Sequence, residues 1–230
     1  MKSTKEQILS HLKRSGGSAI DEIADQFGLA RMTVRQHLTG LERDGLVQSR
    51  EEKGKTGRPH MVFSLSDSGE EMFPKRYDRL ADLLLQEAAG LTADDITGLD
   101  EEGRKRLLLQ KMVERVYADH ETKIRDKSLP ERVALVAQIL QDEGGFADWT
   151  DTGESFEIVD YNCVYRKVVD SHPDVCDWHV SLLGRLLGEK VECSQFMSKG
   201  ADSCRFVVRN GVELRQVDKQ SSSQAGRQTR

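Results

Sequence analysis

The sequence predicts an α+β fold in three parts. Three observations predict it. Apolar residues recur at helical spacing through residues 5–43 and then switch to an extended pattern over 47–50 and 60–65. A charged stretch over 101–127 contains no proline and a single glycine, Gly103, as a long helix requires. Beyond it, short strand and helix patterns alternate, and they carry all four cysteines: Cys163, Cys176, Cys193 and Cys204.

The N-terminal part divides cleanly. Ile8, Leu9 and Leu12 share one face of a helix over 5–14, which Gly16-Gly17 breaks. Ile20, Ile23, Ala24 and Phe27 recur at i, i+3, i+4 and i+7, and Gly28 supplies a left-handed stop. A third helix over 31–43 turns Val34, Leu38 and Leu41 inward. Two helices joined by a tight glycine-containing turn read as a helix-turn-helix. Ala30 breaks one local rule, since Ser or Thr is favoured at that capping position.

The third helix leaves Arg31, Thr33, Arg35, Gln36 and His37 outward in its first two turns. Those turns are the ones a recognition helix places in the major groove, where Arg pairs with guanine and Gln with adenine. A solvated polar face is the competing reading of that helix taken alone. The context decides between them. Between the strands lies Glu51-Glu52-Lys53-Gly54-Lys55-Thr56-Gly57-Arg58-Pro59, a hairpin tip with two glycines and the cations Lys53, Lys55 and Arg58. Such a tip lets backbone approach phosphate, and Arg58 suits the minor groove. Three helices followed by strand, tip and strand make a winged helix-turn-helix. The net charge of −5 hides this patch. Residues 31–60 carry seven Lys or Arg against four acids, a local +3.

In the middle, a helix over 73–89 turns Tyr77, Leu80 and Leu84 inward with Leu83 on the flank, and 91–99 form a short capped connection. The helix over 101–127 has a thin stripe of Leu107, Leu108, Val113 and Val116. That stripe serves either pairing between subunits or packing on the chain's own C-terminal part. A two-fold homodimer is expected, because one winged domain covers only one half-site. A helix over 131–143 follows Pro130. The expected division is a winged helix-turn-helix over 1–70, a helical linker or dimerisation region over 71–128, a cysteine-bearing α+β sensor over 129–215, and a polar, disordered tail over 216–230.

A strand over 156–160 delivers Tyr161-Asn162-Cys163 at its end. Helical turns over 165–170 stop at His172-Pro173, and a helix over 177–187 has Cys176 at its start. Strands over 190–196 and 203–209 carry Cys193 and Cys204. No apolar run reaches the length of about 18 residues that a membrane span needs. No apolar signal core follows Met1. A cytoplasmic protein with reduced thiols is therefore expected, which disfavours structural disulfides. The four cysteines are separated by 12, 16 and 10 residues. That spacing lacks the paired knuckles of structural zinc and the Cys-x-x-Cys of disulfide exchange. Single cysteines on separate elements suit an iron–sulfur cluster. Zinc and plain buried thiols remain open on spacing alone.

The chain resembles the SufR-type transcriptional repressors, winged-helix regulators of iron–sulfur assembly operons, over residues 4–208. The N-terminal anchors are Thr33-Val34-Arg35-Gln36-His37-Leu38, Leu41-Glu42-Arg43-Asp44-Gly45-Leu46-Val47, Gly57-Arg58-Pro59 and Phe63-Ser64-Leu65-Ser66. Phe73-Pro74-Lys75-Arg76-Tyr77-Asp78 continues the likeness, and the more specific anchors are Asn162-Cys163, Cys176 and Cys204-Arg205-Phe206. The resemblance implies an iron–sulfur cluster, 4Fe–4S with 2Fe–2S as the alternative, on Cys163, Cys176 and Cys204. Cys193 is the candidate fourth ligand, although its spacing departs from the four-cysteine pattern; Asp177, His179 and His172 are the alternatives. It further implies a cluster-controlled repressor that binds double-stranded operator DNA. The competing functions are a winged-helix regulator sensing zinc, thiol oxidation or an organic ligand, and an enzyme using Cys176. No Cys–His–acid arrangement supports an enzyme, so none is expected.

Overall fold

A computed structural model describes residues 3–53 and 59–210. Helix α1 (Thr4–Ser15) opens with a capping box between Ser3 and Glu6 and ends at Gly16. There φ is +69°, a left-handed conformation that glycine adopts without cost. A two-residue strand β1 (Ser18–Ala19) precedes α2 (Ile20–Phe27) and α3 (Arg31–Arg43). Strands β2 (Val47–Glu52) and β3 (His60–Leu65) form the wing hairpin, and β1 pairs on the far side of β3, giving the antiparallel order β1-β3-β2. Ile8, Leu12, Ile23, Val34, Leu38 and Leu41 are all essentially sealed from water beneath this sheet. They carry the helical spacing on which the three-helix expectation rests.

The short α4 (Asp67–Glu70) closes the winged domain, with the Ser66 hydroxyl accepting from the Gly69 amide at its start. Helix α5 (Tyr77–Ala89) begins four residues later than the expected 73, because Phe73 belongs to the winged core and 74–76 are irregular. α6 (Ala93–Ile96) is capped by Thr92, and α7 (Glu101–Ile124) by Asp100. α8 (Leu129–Asp142) begins with Ser128 and Glu131 in a capping box and Pro130 in its first turn.

The C-terminal part holds β4 (Ala147–Asp151), β5 (Ser155–Asp160), α9 (Arg166–Ser171), α10 (Asp174–Leu187), β6 (Val191–Gln195) and β7 (Cys204–Arg209). Its four strands form an antiparallel sheet in the order β4-β5-β7-β6. α8 packs on β4 and β5, α10 packs on β6 and α8, and α7 packs on α10 and α5. One core therefore runs from Leu80 and Leu83 through Met112, Val113 and Val116 to Phe156, Ile158, Phe206 and Val208. Of the α7 stripe, Val113 and Val116 are buried in this core and Leu108 packs against it. Among the described residues no helix is long and apolar enough to cross a membrane. The expected disordered tail over 216–230 lies outside the described residues.

Candidate functional site

The first candidate site is the outer face of α3. Burying Val34 and Leu38 fixes the helix rotation and sends Arg35 and Gln36 into solvent. Thr33 and His37 lie half-buried on its flanks. Arg31 is exposed but not free: its Nε donates to Asp21 Oδ1 on α2 at 2.7 Å. An exposed pair of this kind is worth little, about 1 kcal/mol at most, and exchanges readily for a DNA phosphate or base. Ala30 caps α3 without a side-chain bond, which leaves first-turn amides available to an anion. Lys53 is exposed at the end of β2, whereas Lys55 and Arg58 lie outside the described residues. Met32, two-thirds exposed on the same helix, is an apolar residue that the polar pattern of the helix does not signal. Its apolar tip is the type of group that meets a thymine methyl.

The second site is at one end of the C-terminal sheet, and strand alternation builds it. Cys204, Phe206 and Val208 point to the same face of β7, the face that α10 and α8 cover. Across the ladder Asp160 stands opposite Cys204, and Cys193 opposite Phe206. Cys193 and Cys204 therefore face the helices together. A bulge between Cys193 and Gln195 bends β6 at this point, and the Cys193 thiol donates to the Gln195 carbonyl at 2.9 Å. Cys163 follows the end of β5 by three residues. Cys176 enters from the first turn of α10, with its sulfur 3.4 Å from Ser198 Oγ.

The four thiols influence one another electrostatically. Cys163 feels both Cys204 and Cys176, Cys176 feels Cys204, and Cys193 is hydrogen-bonded to Cys204. Burial pushes the Cys163 thiol up to about 12 and raises Cys176. The bond between Cys193 and Cys204 lowers Cys193 and raises Cys204, and burial raises Cys204 further. Backbone N–H groups point at the sulfurs: Tyr165 donates to Cys163, and Met197 donates to Cys204 at 3.5 Å. Such donors stabilise thiolate bound to a metal. Among the described residues, no three His, Cys, Asp or Glu side chains converge as ligands of a single ion. A cluster takes one thiolate per iron and so spreads its ligands, and the donor set, four thiols on four elements with N–H donors behind them, fits that chemistry.

The candidate fourth ligands separate by position. His179 lies one turn beyond Cys176, among the rings of Tyr165, Trp178 and Phe206, and burial lowers it to about 4, so it is neutral. It lines a small apolar cavity of about 40 Å³ together with Cys163 and Cys204. Asp177 and His172 are exposed. Two polar neighbours stand beside the thiols. Asn162 is fully buried beside Cys163, and Asp160, also buried, accepts the backbone N–H of Phe146 at 2.9 Å and of Asn162 at 3.0 Å. The signal for Asn162 was its place in the Asn162-Cys163 pair.

Residues 1–48 match the family described as winged helix-turn-helix DNA-binding. No curated protein matches the chain. Among solved structures, a MarR family regulator from Neisseria meningitidis is 17% identical, covering 56% of this chain and 82% of that chain at a TM-score of 0.25. Bacillus subtilis PadR, in complex with operator DNA, is 16% identical, covering 82% of this chain and 90% of that chain at a TM-score of 0.29. These superpositions are loose, and the DNA-binding assignment rests on the N-terminal match. The chain carries a winged helix-turn-helix DNA-binding domain.

Proposed function

We propose that the protein is a homodimeric transcriptional repressor of iron–sulfur cluster assembly genes. Its affinity for double-stranded operator DNA is set by an iron–sulfur cluster on Cys163, Cys176, Cys204 and Cys193, with 4Fe–4S favoured over 2Fe–2S. What supports the reading is four electrostatically coupled thiols on separate segments near one end of a sheet, in a chain whose other end is a DNA-binding domain. When bound, the cluster supplies a crosslink among those elements that depends on iron and redox state.

The chain's own residues do the rest. Arg31, Thr33, Arg35, Gln36 and His37 read or flank the major groove, with Arg31 first leaving Asp21. Lys53, Lys55 and Arg58 hold phosphate. The N–H groups of Tyr165 and Met197 hold the thiolate form of Cys163 and Cys204 against the burial that otherwise keeps them protonated. With the four elements held together, the winged domains of the dimer match two half-sites. Released, they lose that register. A coupling of about 2–3 kcal/mol gives a hundredfold change in affinity.

Anaerobic reconstitution tests the assignment, read by visible absorption with iron and sulfide analysis. Wild type is expected to take up both. Cys163→Ser, Cys176→Ser and Cys204→Ser are expected to lose the chromophore, while Cys193→Ser keeps a weakened one. Colourless protein holding stoichiometric zinc would overturn the reading.

A further inference from the structure

The chain leaves the winged domain at α4 and enters α5 at Tyr77, and the residues between are stitched to the loop that carries Cys163. Asn162 Nδ2 donates to Pro74 O at 2.9 Å. Lys75 Nζ donates to Asn162 Oδ1 at 3.1 Å. Arg76 N–H donates to Val164 O at 3.0 Å. The Lys167 N–H reaches the Tyr77 hydroxyl at 3.4 Å. Four successive residues, 74 to 77, are thus bonded to a segment in which Cys163 sits between the first two partners.

Asn162 is the fixed point of this strap. It is fully buried, and its second Nδ2 hydrogen goes to Gly144 O at 2.8 Å. Both its amide donors and its carbonyl are occupied, so a shift of the Cys163 loop leaves buried polar groups unpaired unless 74–77 moves with it. Immediately upstream, Phe73 is buried in the winged core, packed edge-on against Phe146 and beneath Lys13. The strap therefore ends inside the DNA-binding domain itself.

Elsewhere the two parts meet through side chains: Phe146, from the loop before β4, packs against the winged core, and Arg14 of α1 lies over the rings of Phe146 and Tyr161. A cleft of about 780 Å³, lined by Leu12, Glu71, Lys75, Cys163, Ala201 and Asp202 among others, lies between them. The ion pair of Arg14 with Asp148, 3.0 Å long, joins two half-exposed side chains and contributes little. The backbone stitching at 74–77 thus runs along one edge of an open cleft.

We propose that residues 73–77 transmit the state of the thiol site to the winged domain, with Asn162 and Lys75 as the positioning residues that clamp them to the Cys163 loop. This rests on the cluster-controlled repressor proposed above and says how its two ends communicate. Lys75→Met keeps the aliphatic stem and removes one bond of the clamp; Asn162→Ala removes two, and with them the bond to Gly144.

The test has two arms. In the first, Lys75→Met is reconstituted anaerobically and titrated with operator DNA. It takes up wild-type iron and sulfide and retains wild-type apo affinity, while the loaded-to-apo ratio, about a hundredfold in wild type, falls below about tenfold. An unchanged ratio overturns the proposal. The second arm needs no iron: amide hydrogen exchange of apo wild type and both variants. Exchange across 73–77 and in β3 and α4 rises about tenfold in Asn162→Ala, and by less in Lys75→Met, with circular dichroism unchanged. Wild-type exchange in β3 and α4 of both variants overturns the strap. Wild type that takes up no iron overturns the cluster reading instead, and the second arm still decides the strap.

Discussion

Asp160 makes the thiol end of the sheet sensitive to pH, with a definite sign. Its carboxyl is buried, with both oxygens close to where a side chain on Gly145 would stand, and burial raises its pKa from 3.8 to about 6. The two backbone N–H bonds from Phe146 and Asn162 favour the charged form but are outweighed. The folded state therefore binds the proton more tightly than the unfolded state. The resulting stability is fully present below 3.8 and is lost as pH rises through about 6. About two pKa units at 1.36 kcal/mol each make the total about 3 kcal/mol. Asp160→Asn keeps an acceptor for both N–H bonds and is neutral throughout. Relative to wild type it is expected to gain stability between pH 5 and pH 7, by about 1.3 kcal/mol. Urea midpoints of both proteins at pH 5, 6 and 7, at equal slope, measure that change. Any fixed cost of the amide cancels in it. A gap that stays constant with pH, or that moves in favour of wild type, refutes the buried-carboxyl argument.

Other consequences are equally open to measurement. A methyl on Gly69 would come within 2.0 Å of the Leu46 carbonyl oxygen, backbone against side chain with no flexible group to yield. Gly69→Ala should cost about 3 kcal/mol in thermal or urea unfolding and uncouple the wing from α4; a melting point equal to wild type would show the contact to be soft. In apo protein, iodoacetamide should modify Cys193, whose pKa is lowered, before Cys163, which burial holds at about 12. Peptide mass spectrometry that finds Cys163 modified first contradicts that order. Arg35→Ala should lose about 1–3 kcal/mol on operator DNA and far less on random DNA, whereas Lys53→Ala should weaken both alike and flatten the salt dependence. Equal losses for both variants on both DNAs would end this division of labour.

The winged domain was legible because its signals are local. Ile8, Leu12, Ile23, Val34, Leu38 and Leu41 recur at helical spacing, and the glycines that end α1 and α2 stand at positive φ. β1 was not legible: two residues, Ser18 and Ala19, carry no alternation, and the strand exists only because β3 offers them a ladder. β4 was missed for a similar reason. Ala147-Asp148-Trp149-Thr150-Asp151 is polar and mostly exposed, as an edge strand allows. Phe73 continues the apolar pattern of α5 in the sequence, and only tertiary contacts show that it serves the other core. The cysteines were legible as a set by their confinement to 42 residues. Their proximity was not, since it depends on strand register and on the packing of α10 against β6. Asn162 and Lys75 are ordinary polar residues in sequence, and their bond spans 87 positions.

The central claim joins the two ends of the chain, so its most direct test measures both at once. Anaerobically reconstituted protein and its chelator-stripped apo form are titrated against the same operator, with iron and sulfide determined on each sample. The account predicts a bound cluster and about hundredfold tighter binding by the loaded form. Equal operator affinity of the two forms, with the cluster demonstrably present in one, would contradict it.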